Sequence, residues 1–227
     1  MDKQLFNQQL FNQRLQYLIK YPPTGFMVVP AGMFGDDGEH PADWTDSECA
    51  YASGQLRGCN AKTVLDIGSY RHFVHGLAAA YDVTYLDVRP QKKVVGQKRI
   101  VSDIRNIPSF FDQTFDAVVS LCTLEHVGLG RYGDEFDMQG DKKAYPAIKR
   151  VLKSDGHLIF TIPIKNGKPV IWFNGHRVYD YQMIQEFRND MEIVDERFID
   201  IVSLQEIQLS QVRTDNFDLY CGHWRKP

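Results

Sequence analysis

Residues 63–88, TVLDIGSYRHFVHGLAAAYDVTYLDV, decide the fold class. Val64-Leu65-Asp66-Ile67 is a short, nearly unbroken apolar run that stops at Gly68; residues 71–80 read as a helix, and Val83 to Val88 is a second apolar run. Near-continuous apolar strands on either side of a helix indicate a βαβ unit, whose parallel strands are covered on both faces. The pattern continues downstream, with strands at 98–103, Phe115 to Leu121 and Leu158 to Ile164, and helices at 141–153 and 180–188. The end differs. Ile193 to Ile201 and Phe217 to Trp224 are strands joined by a polar connection poor in helix formers, which predicts an antiparallel pair at the sheet edge instead of another crossover. The class is therefore α/β: a doubly wound, mostly parallel sheet with an antiparallel C-terminal strand pair.

Upstream, residues 3–20 predict an amphipathic helix, with Phe11, Leu15 and Leu18 at helical spacing and a stop before Pro22-Pro23. Residues 22–43, rich in proline and glycine, read as a long loop of the kind that forms lids. Thr45-Asp46-Ser47-Glu48 has the form of a capping box opening a short helix that Gly58 ends. The expected organisation is a helical extension with a lid-like loop over 1–60 and one α/β domain over 61–227.

The chain carries 26 basic and 29 acidic residues, a net charge of −3, so no broad footprint for nucleic acid or an anionic membrane is visible. The N-terminal stretch is too polar for a signal peptide, and no apolar run approaches the ~18 residues of a membrane span. Cys49, Cys59, Cys122 and Cys221 form no CxxC pair and no short-spaced Cys/His set, so ordinary thiols in a reducing cytoplasm are expected and no metal. The expected partner is a small molecule.

In an open parallel sheet, ligands bind beyond the carboxyl ends of the strands. Four such exits carry suitable groups: Asp66 with Gly68; Asp87, about 20 residues on, the spacing at which a carboxylate reaches ribose hydroxyls; Asp103; and the run Ser120-Leu121-Cys122-Thr123-Leu124-Glu125-His126. Each acid has a second reading as the cap of the next helix. His126 is either a structural histidine or a general base for a substrate hydroxyl, and Glu125 either orients it or caps a helix. Arg131, Tyr132 and Asp134 lie in a glycine-rich loop after the fourth strand, and Asn174, His176, Arg177 and Tyr179 follow the fifth. Arg131 and Arg177 are expected to grip an anionic or hydroxyl-rich acceptor, with a solvated Arg131–Asp134 pair as the alternative. A metal set of His126, Asp134 and His176 is conceivable, but no ligand spacing supports it.

VLDIG, YLDV, VSDI, FDAVVSLCTLEHVG and AIKRVLKSDGHLIFTIP resemble the successive motifs of class I S-adenosylmethionine-dependent methyltransferases over about residues 60–225. GLGRYGD at 128–134 and FNGHRVY at 173–179 resemble, more narrowly, the methyltransferase-like branch known as DUF268. The resemblance implies a seven-stranded Rossmann-like methyltransferase fold with S-adenosyl-L-methionine as cofactor. It implies that Asp66 and Gly68 line the methionine end, that Asp87 holds the ribose, that Asp103 and Ile104 contact adenine, and that Ser120 and Leu121 wall the cofactor. One departure stands out: the family's GxGxG turn is Gly68-Ser69-Tyr70-Arg71-His72 here, so a widened turn is expected to keep room for the methionine tail. The activity expected is O-methylation of a small polar acceptor such as a sugar or sugar-linked metabolite, with His126 and Glu125 at the catalytic centre. The alternatives are a catalytically silent scaffold and, suggested by Asp87, a nicotinamide-dependent oxidoreductase.

Overall fold

The structure, a computed structural model, describes residues 3–21, 42–90, 98–172 and 175–227. The lid-like loop expected at 22–43 lies almost wholly outside them, as do Asn174 and Lys92-Lys93. The chain forms two compact units, Met1–Pro41 and Ala42–Pro227. The first holds helix α1 (Lys3–Lys20), as its periodicity predicts. The boundary differs from the expected residue 60, because helix α2 (Trp44–Gly58) packs on the sheet of the second unit through Tyr51, Ala52 and Leu56.

The α2 cap also differs from expectation by two residues. Asp43, not Thr45, is the N-cap: its carboxylate accepts from the Thr45 amide at 2.8 Å, and Asp46 accepts from the Asp43 amide at 2.9 Å. Glu48, released from capping, turns into the core.

The strands are β1 (Thr63–Ile67), β2 (Asp82–Asp87), β3 (Lys98–Val101), β4 (Phe115–Leu121), β5 (Leu152–Ile164), β6 (Val170–Trp172), β7 (His176–Val178), β8 (Glu192–Ile199), β9 (Glu206–Ile207) and β10 (Asp218–Arg225). The sheet order is β3-β2-β1-β4-β5-β10-β8-β9, parallel from β3 to β5 and antiparallel beyond, so the seven expected strands gain only the two-residue β9 at the edge. A separate hairpin pairs β6 with β7. Helices α3 (Arg71–Leu77), α4 (Gly140–Val151) and α5 (Tyr181–Arg188) complete the layers.

Successive strand residues feed opposite cores. Val64, Ala117, Val119, Ile159 and Cys221 pack with α2 and α3, while Leu65, Val118, Leu158, Phe160 and Trp224 pack with α4 and α5. Burial on both faces is why these strands read as unbroken apolar runs. Strand order reverses between β1 and β4, which opens a crevice at their carboxyl ends.

Candidate active site

The crevice holds two adjoining clefts. The smaller encloses about 560 Å³ and is lined by Gly68, Asp87, Arg89, Asp103, Ile104, Thr123, His126, Tyr132 and Asp134, among others. The larger encloses about 1690 Å³ and is lined by Trp44, Tyr70, Leu121, Glu125, Arg131, His176 and Phe217, among others. Gly68, Arg89, Cys122, His126 and Tyr132 line both.

Gly68 makes the smaller cleft possible. Its φ of +68° suits glycine, and a Cβ there would stand 2.7 Å from Thr123 Cγ2. The turn that follows leaves the cleft open: Tyr70 directs its hydroxyl to Glu48 Oε2 at 3.0 Å, toward α2, and His72 is exposed on α3. Thr161 donates to the other Glu48 oxygen, and burial is the main cause that raises the Glu48 carboxyl above its usual range.

Two residues expected to line the cofactor lie behind the wall instead. Asp66 is fully buried, accepting from the Ser69 amide at 3.2 Å beneath the turn, and burial pushes its carboxyl up to about 7. Ser120 is also fully buried and donates to the Ile67 carbonyl. Leu121 lines the larger cleft, not the smaller one.

Asp87 and Asp103 do face the smaller cleft, each held by an arginine two residues on, a feature missed in the sequence although Asp-x-Arg stands at the exit of both strands. Asp87 accepts from Arg89 Nε at 3.0 Å and Nη2 at 2.8 Å, and from the Tyr85 hydroxyl at 2.7 Å. Burial alone would raise the Asp87 carboxyl, but these bonds outweigh it and hold it below the usual carboxylate range. The Arg89 side chain is 47% exposed, so it can leave without opening the core. It packs over the Tyr132 ring at 4.5 Å. Asp103 takes the Arg105 backbone amide and three guanidinium bonds, and the Arg105 side chain is only 8% exposed, tied also to the Glu135 carbonyl and Asp137. Asp103 is thus the cap of the 104–106 turn.

His126 ends a short 3₁₀ turn, Leu124–His126, directly after β4. Its Nδ1 lies 2.8 Å from the Gly175 carbonyl, which can only accept, so Nδ1 carries the hydrogen and Nε2 keeps its lone pair. Burial lowers the imidazole to about 4, leaving it neutral at pH 7. Glu125 Oε1 stands 3.7 Å from Nε2, too far for a hydrogen bond. Burial pushes that carboxyl up to about 8, so two neutral groups meet there, and the Gly175 carbonyl is what orients the ring.

Three buried polar atoms have no hydrogen-bond partner and belong to cleft residues: Asp134 Oδ1 at the smaller cleft, Glu125 Oε2 and His176 Nε2 at the larger. Buried polar groups are normally satisfied, so such atoms suit a ligand that completes them. The second Asp134 oxygen accepts from the Gly128 amide at 2.6 Å, which fixes the loop and leaves the carboxylate other work than pairing with Arg131. His126, Asp134 and His176 do not converge as a metal set.

The two expected substrate arginines separate. Arg131 is exposed at the larger cleft and donates to the Gly175 carbonyl at 3.0 Å. Arg177 is 5% exposed and holds together the polypeptide behind the site: Nη1 donates to Val127 O at 2.7 Å and Glu125 O at 3.3 Å, and Nε faces Asp141 Oδ2 at 3.4 Å. Its guanidinium borders a different hollow, near Met138 and Pro169. The expected pairing of the two arginines at one mouth is therefore not formed: Arg131 lines the larger cleft and Arg177 does not.

Sheet order, antiparallel ending and crevice together define a class I S-adenosylmethionine-dependent methyltransferase-like fold. The chain belongs to the family described as "Caenorhabditis protein of unknown function, DUF268", whose profile matches residues 82–217. No curated protein matches the sequence. Among solved structures, it is similar to Burkholderia thailandensis 1,6-didemethyltoxoflavin-N1-methyltransferase with bound 1,6-didemethyltoxoflavin and S-adenosylhomocysteine, at 15% identity and a TM-score of 0.60, covering 80% of this chain and 77% of that one. It is also similar to the N-methyltransferase NodS from Bradyrhizobium japonicum WM9 in complex with S-adenosyl-L-homocysteine, at 17% identity and 0.56, covering 80% and 86%. The [4+2]-cyclase SpnF matches at 16% identity and 0.61, covering 84% and 85%. A cyclase among these matches means that the shared fold leaves the reaction open.

Proposed function

We propose that the protein is an S-adenosylmethionine-dependent methyltransferase acting on an oxygen of a small polar acceptor, a sugar or sugar-linked metabolite fitting the site best. The observation that carries this reading is the position of His126, which lines both clefts and, with its hydrogen held on Nδ1, keeps the Nε2 lone pair. The cofactor, held in the smaller cleft by Gly68, Asp87 and Ile104, with Asp134 Oδ1 as a further acceptor, would supply an electrophilic methyl group. His126 then accepts the proton of the acceptor hydroxyl as that oxygen attacks, while the protein holds the two reactants in line.

The larger cleft suits such an acceptor. Trp44, His176 and Phe217 form an aromatic wall, with Phe217 ring centroids 5.4 Å from Trp44 and 5.3 Å from His176. Flat rings take the apolar face of a sugar, while Glu125 Oε2, His176 Nε2 and the Arg131 guanidinium meet its hydroxyls. With a net charge of −3, the chain has no charge excess to draw nucleic acid. Among the described residues no helix is long and apolar enough to cross a membrane. All four cysteines are free thiols, which suits the cytoplasm as the place of action.

Arg89 on Asp87 and Arg105 on Asp103 favour one second reading, a silent scaffold whose arginines stand where ligand donors would go. Titration calorimetry separates the two. Binding of S-adenosylhomocysteine with no heat from NAD supports the methyltransferase; no binding of either at millimolar concentration favours the scaffold. In the first case Asp87→Asn is expected to weaken S-adenosylhomocysteine by about tenfold to a hundredfold, the loss of a charged hydrogen bond worth about 1.5–3 kcal/mol. Arg89→Ala is expected to strengthen it, because it removes a competitor for the carboxylate. Weaker binding in Arg89→Ala would make that arginine a cofactor ligand instead.

A further inference from the structure

At the opposite end of the sheet from the clefts, Cys59, His157 and His223 converge, although they are far apart in sequence. Cys59 is the C-cap of α2, His157 lies near the amino-terminal part of β5, and His223 lies on the neighbouring β10. Among the described residues they are the only three Cys, His, Asp or Glu side chains whose ligand atoms gather within 4.8 Å of one another. His157 Nδ1 is 2.8 Å from His223 Nε2, and Cys59 Sγ is 3.5 Å from the same nitrogen. We infer that Cys59, His157 and His223 form a binding site for a divalent transition metal of borderline softness, zinc foremost.

The chemistry fits in three respects. Two imidazoles and a thiolate are zinc's usual donors, at about 2.0–2.1 Å for nitrogen and 2.3 Å for sulfur, so neighbouring ligand atoms of a tetrahedral site stand roughly 3.3–3.7 Å apart. The Cys59–His223 distance is already in that range, and the two rings need to part by only about half an ångström. Next, His223 is pre-set as a ligand. Its Nδ1 is 2.8 Å from Gln55 Oε1, and Gln55 Nε2 donates to Asp195 Oδ2 at 3.1 Å. This chain fixes the hydrogen on Nδ1 and turns the Nε2 lone pair toward the other two groups, as outer partners of metal-bound histidines do. Finally, Cys59 and His157 are half-buried whereas His223 is buried, so solvent can supply the fourth ligand.

Without metal, the groups find partners within the protein: Cys59 donates to the Gln55 carbonyl at 3.0 Å, and His157 Nδ1–H donates to His223 Nε2. Zinc binding forms one Zn–S and two Zn–N bonds. The Cys59 proton leaves to solvent, and the His157 hydrogen moves from Nδ1 to the other ring nitrogen. The bound ion ties the end of α2 to β5 and β10, bracing the helix whose other end carries Trp44 and Glu48.

The test uses the full chain, stripped of metal and titrated with Zn²⁺ against a coloured chelator and with Co²⁺ followed by absorption. Expected are one equivalent of either ion, tetrahedral cobalt bands with a thiolate charge-transfer band, and protection of Cys59 from alkylation by Zn²⁺. Cys59→Ser removes the charge-transfer band and the stoichiometric binding. Gln55→Ala weakens Zn²⁺ about 10–100-fold, the usual cost of losing an outer partner. Because His223→Ala risks the core, His157→Ala at the half-buried position serves as the second ligand variant and is expected to lose the equivalent too. The inference is overturned if the folded parent takes up no equivalent of zinc, or if Cys59→Ser and His157→Ala bind it as the parent does.

Discussion

His126→Asn is expected to lower turnover by about 10²–10⁴-fold while leaving S-adenosylhomocysteine affinity within a few fold, the effect of removing a general base. Asparagine is the informative substitution, because its amide N–H can keep the bond to the Gly175 carbonyl that His126 Nδ1 makes at 2.8 Å. The hydrogen-bonded loop survives and only the Nε2 lone pair is lost. The pH profile gives a second readout. A base works when neutral, and burial holds this imidazole neutral down to about 4, so the acid limb of kcat/KM is expected near pH 4 instead of near the 6.5 of a solvated histidine. On the alkaline side, Glu125 loses its proton near pH 8 and places a charge 3.7 Å from Nε2. That charge favours the imidazolium and so strengthens the base: kcat/KM is expected to rise through pH 8, and Glu125→Gln, which keeps the neutral shape, is expected to abolish that rise. Unchanged turnover in His126→Asn, on an acceptor the parent methylates, would make the residue structural.

What the sequence disclosed follows from how local each cause is. β4 begins and ends where Phe115 to Leu121 reads as a strand, because burial on both faces writes itself as an unbroken apolar run. β5 starts at Leu152, well ahead of the expected Leu158, because Lys153 to Gly156 is polar and Asp155 has a φ of +58°, the marks of a turn. Only the pairing of Leu152 with Phe115 brings that stretch into the sheet. The α2 cap was ambiguous in DWTDSE, where two overlapping box patterns compete. The pattern starting at Thr45 loses because Glu48 is drawn to Thr161 and Tyr70, partners that no local spacing announces. At the site, the exits of β2, β3 and β4 were legible because parallel-sheet geometry places them together. The unpartnered oxygens of Glu125 and Asp134 were not, since an absent partner is a property of the packed whole.

Arg177 teaches the same lesson with the largest expected effect on stability. Its position after the fifth expected strand, in a loop rich in donors, reads as a substrate contact; the fold buries it, and its bonds run to protein carbonyls and to Asp141, which is 2% exposed. Removing one member of a buried charge pair costs about 3–5 kcal/mol, because the other stays in the core uncompensated. Asp141 keeps the Tyr179 hydroxyl at 3.1 Å and sits in the first turn of α4, where the helix dipole favours a negative charge, so the lower end applies. Arg177→Met is therefore expected to destabilise by about 3 kcal/mol, a fall in melting temperature of about 6–12 °C at about 2–4 °C per kcal/mol for a domain of this size. Adding Asp141→Asn removes the stranded charge, so the double variant is expected to be more stable than the sum of the two single losses allows. A residue gripping the acceptor would behave in the opposite way: an unchanged melting temperature with a raised acceptor KM would return Arg177 to the substrate site. The carbonyls it holds, those of Glu125 and Val127, flank His126, so whatever fraction of Arg177→Met remains folded is expected to lose turnover through a displaced base, with the acceptor KM little changed.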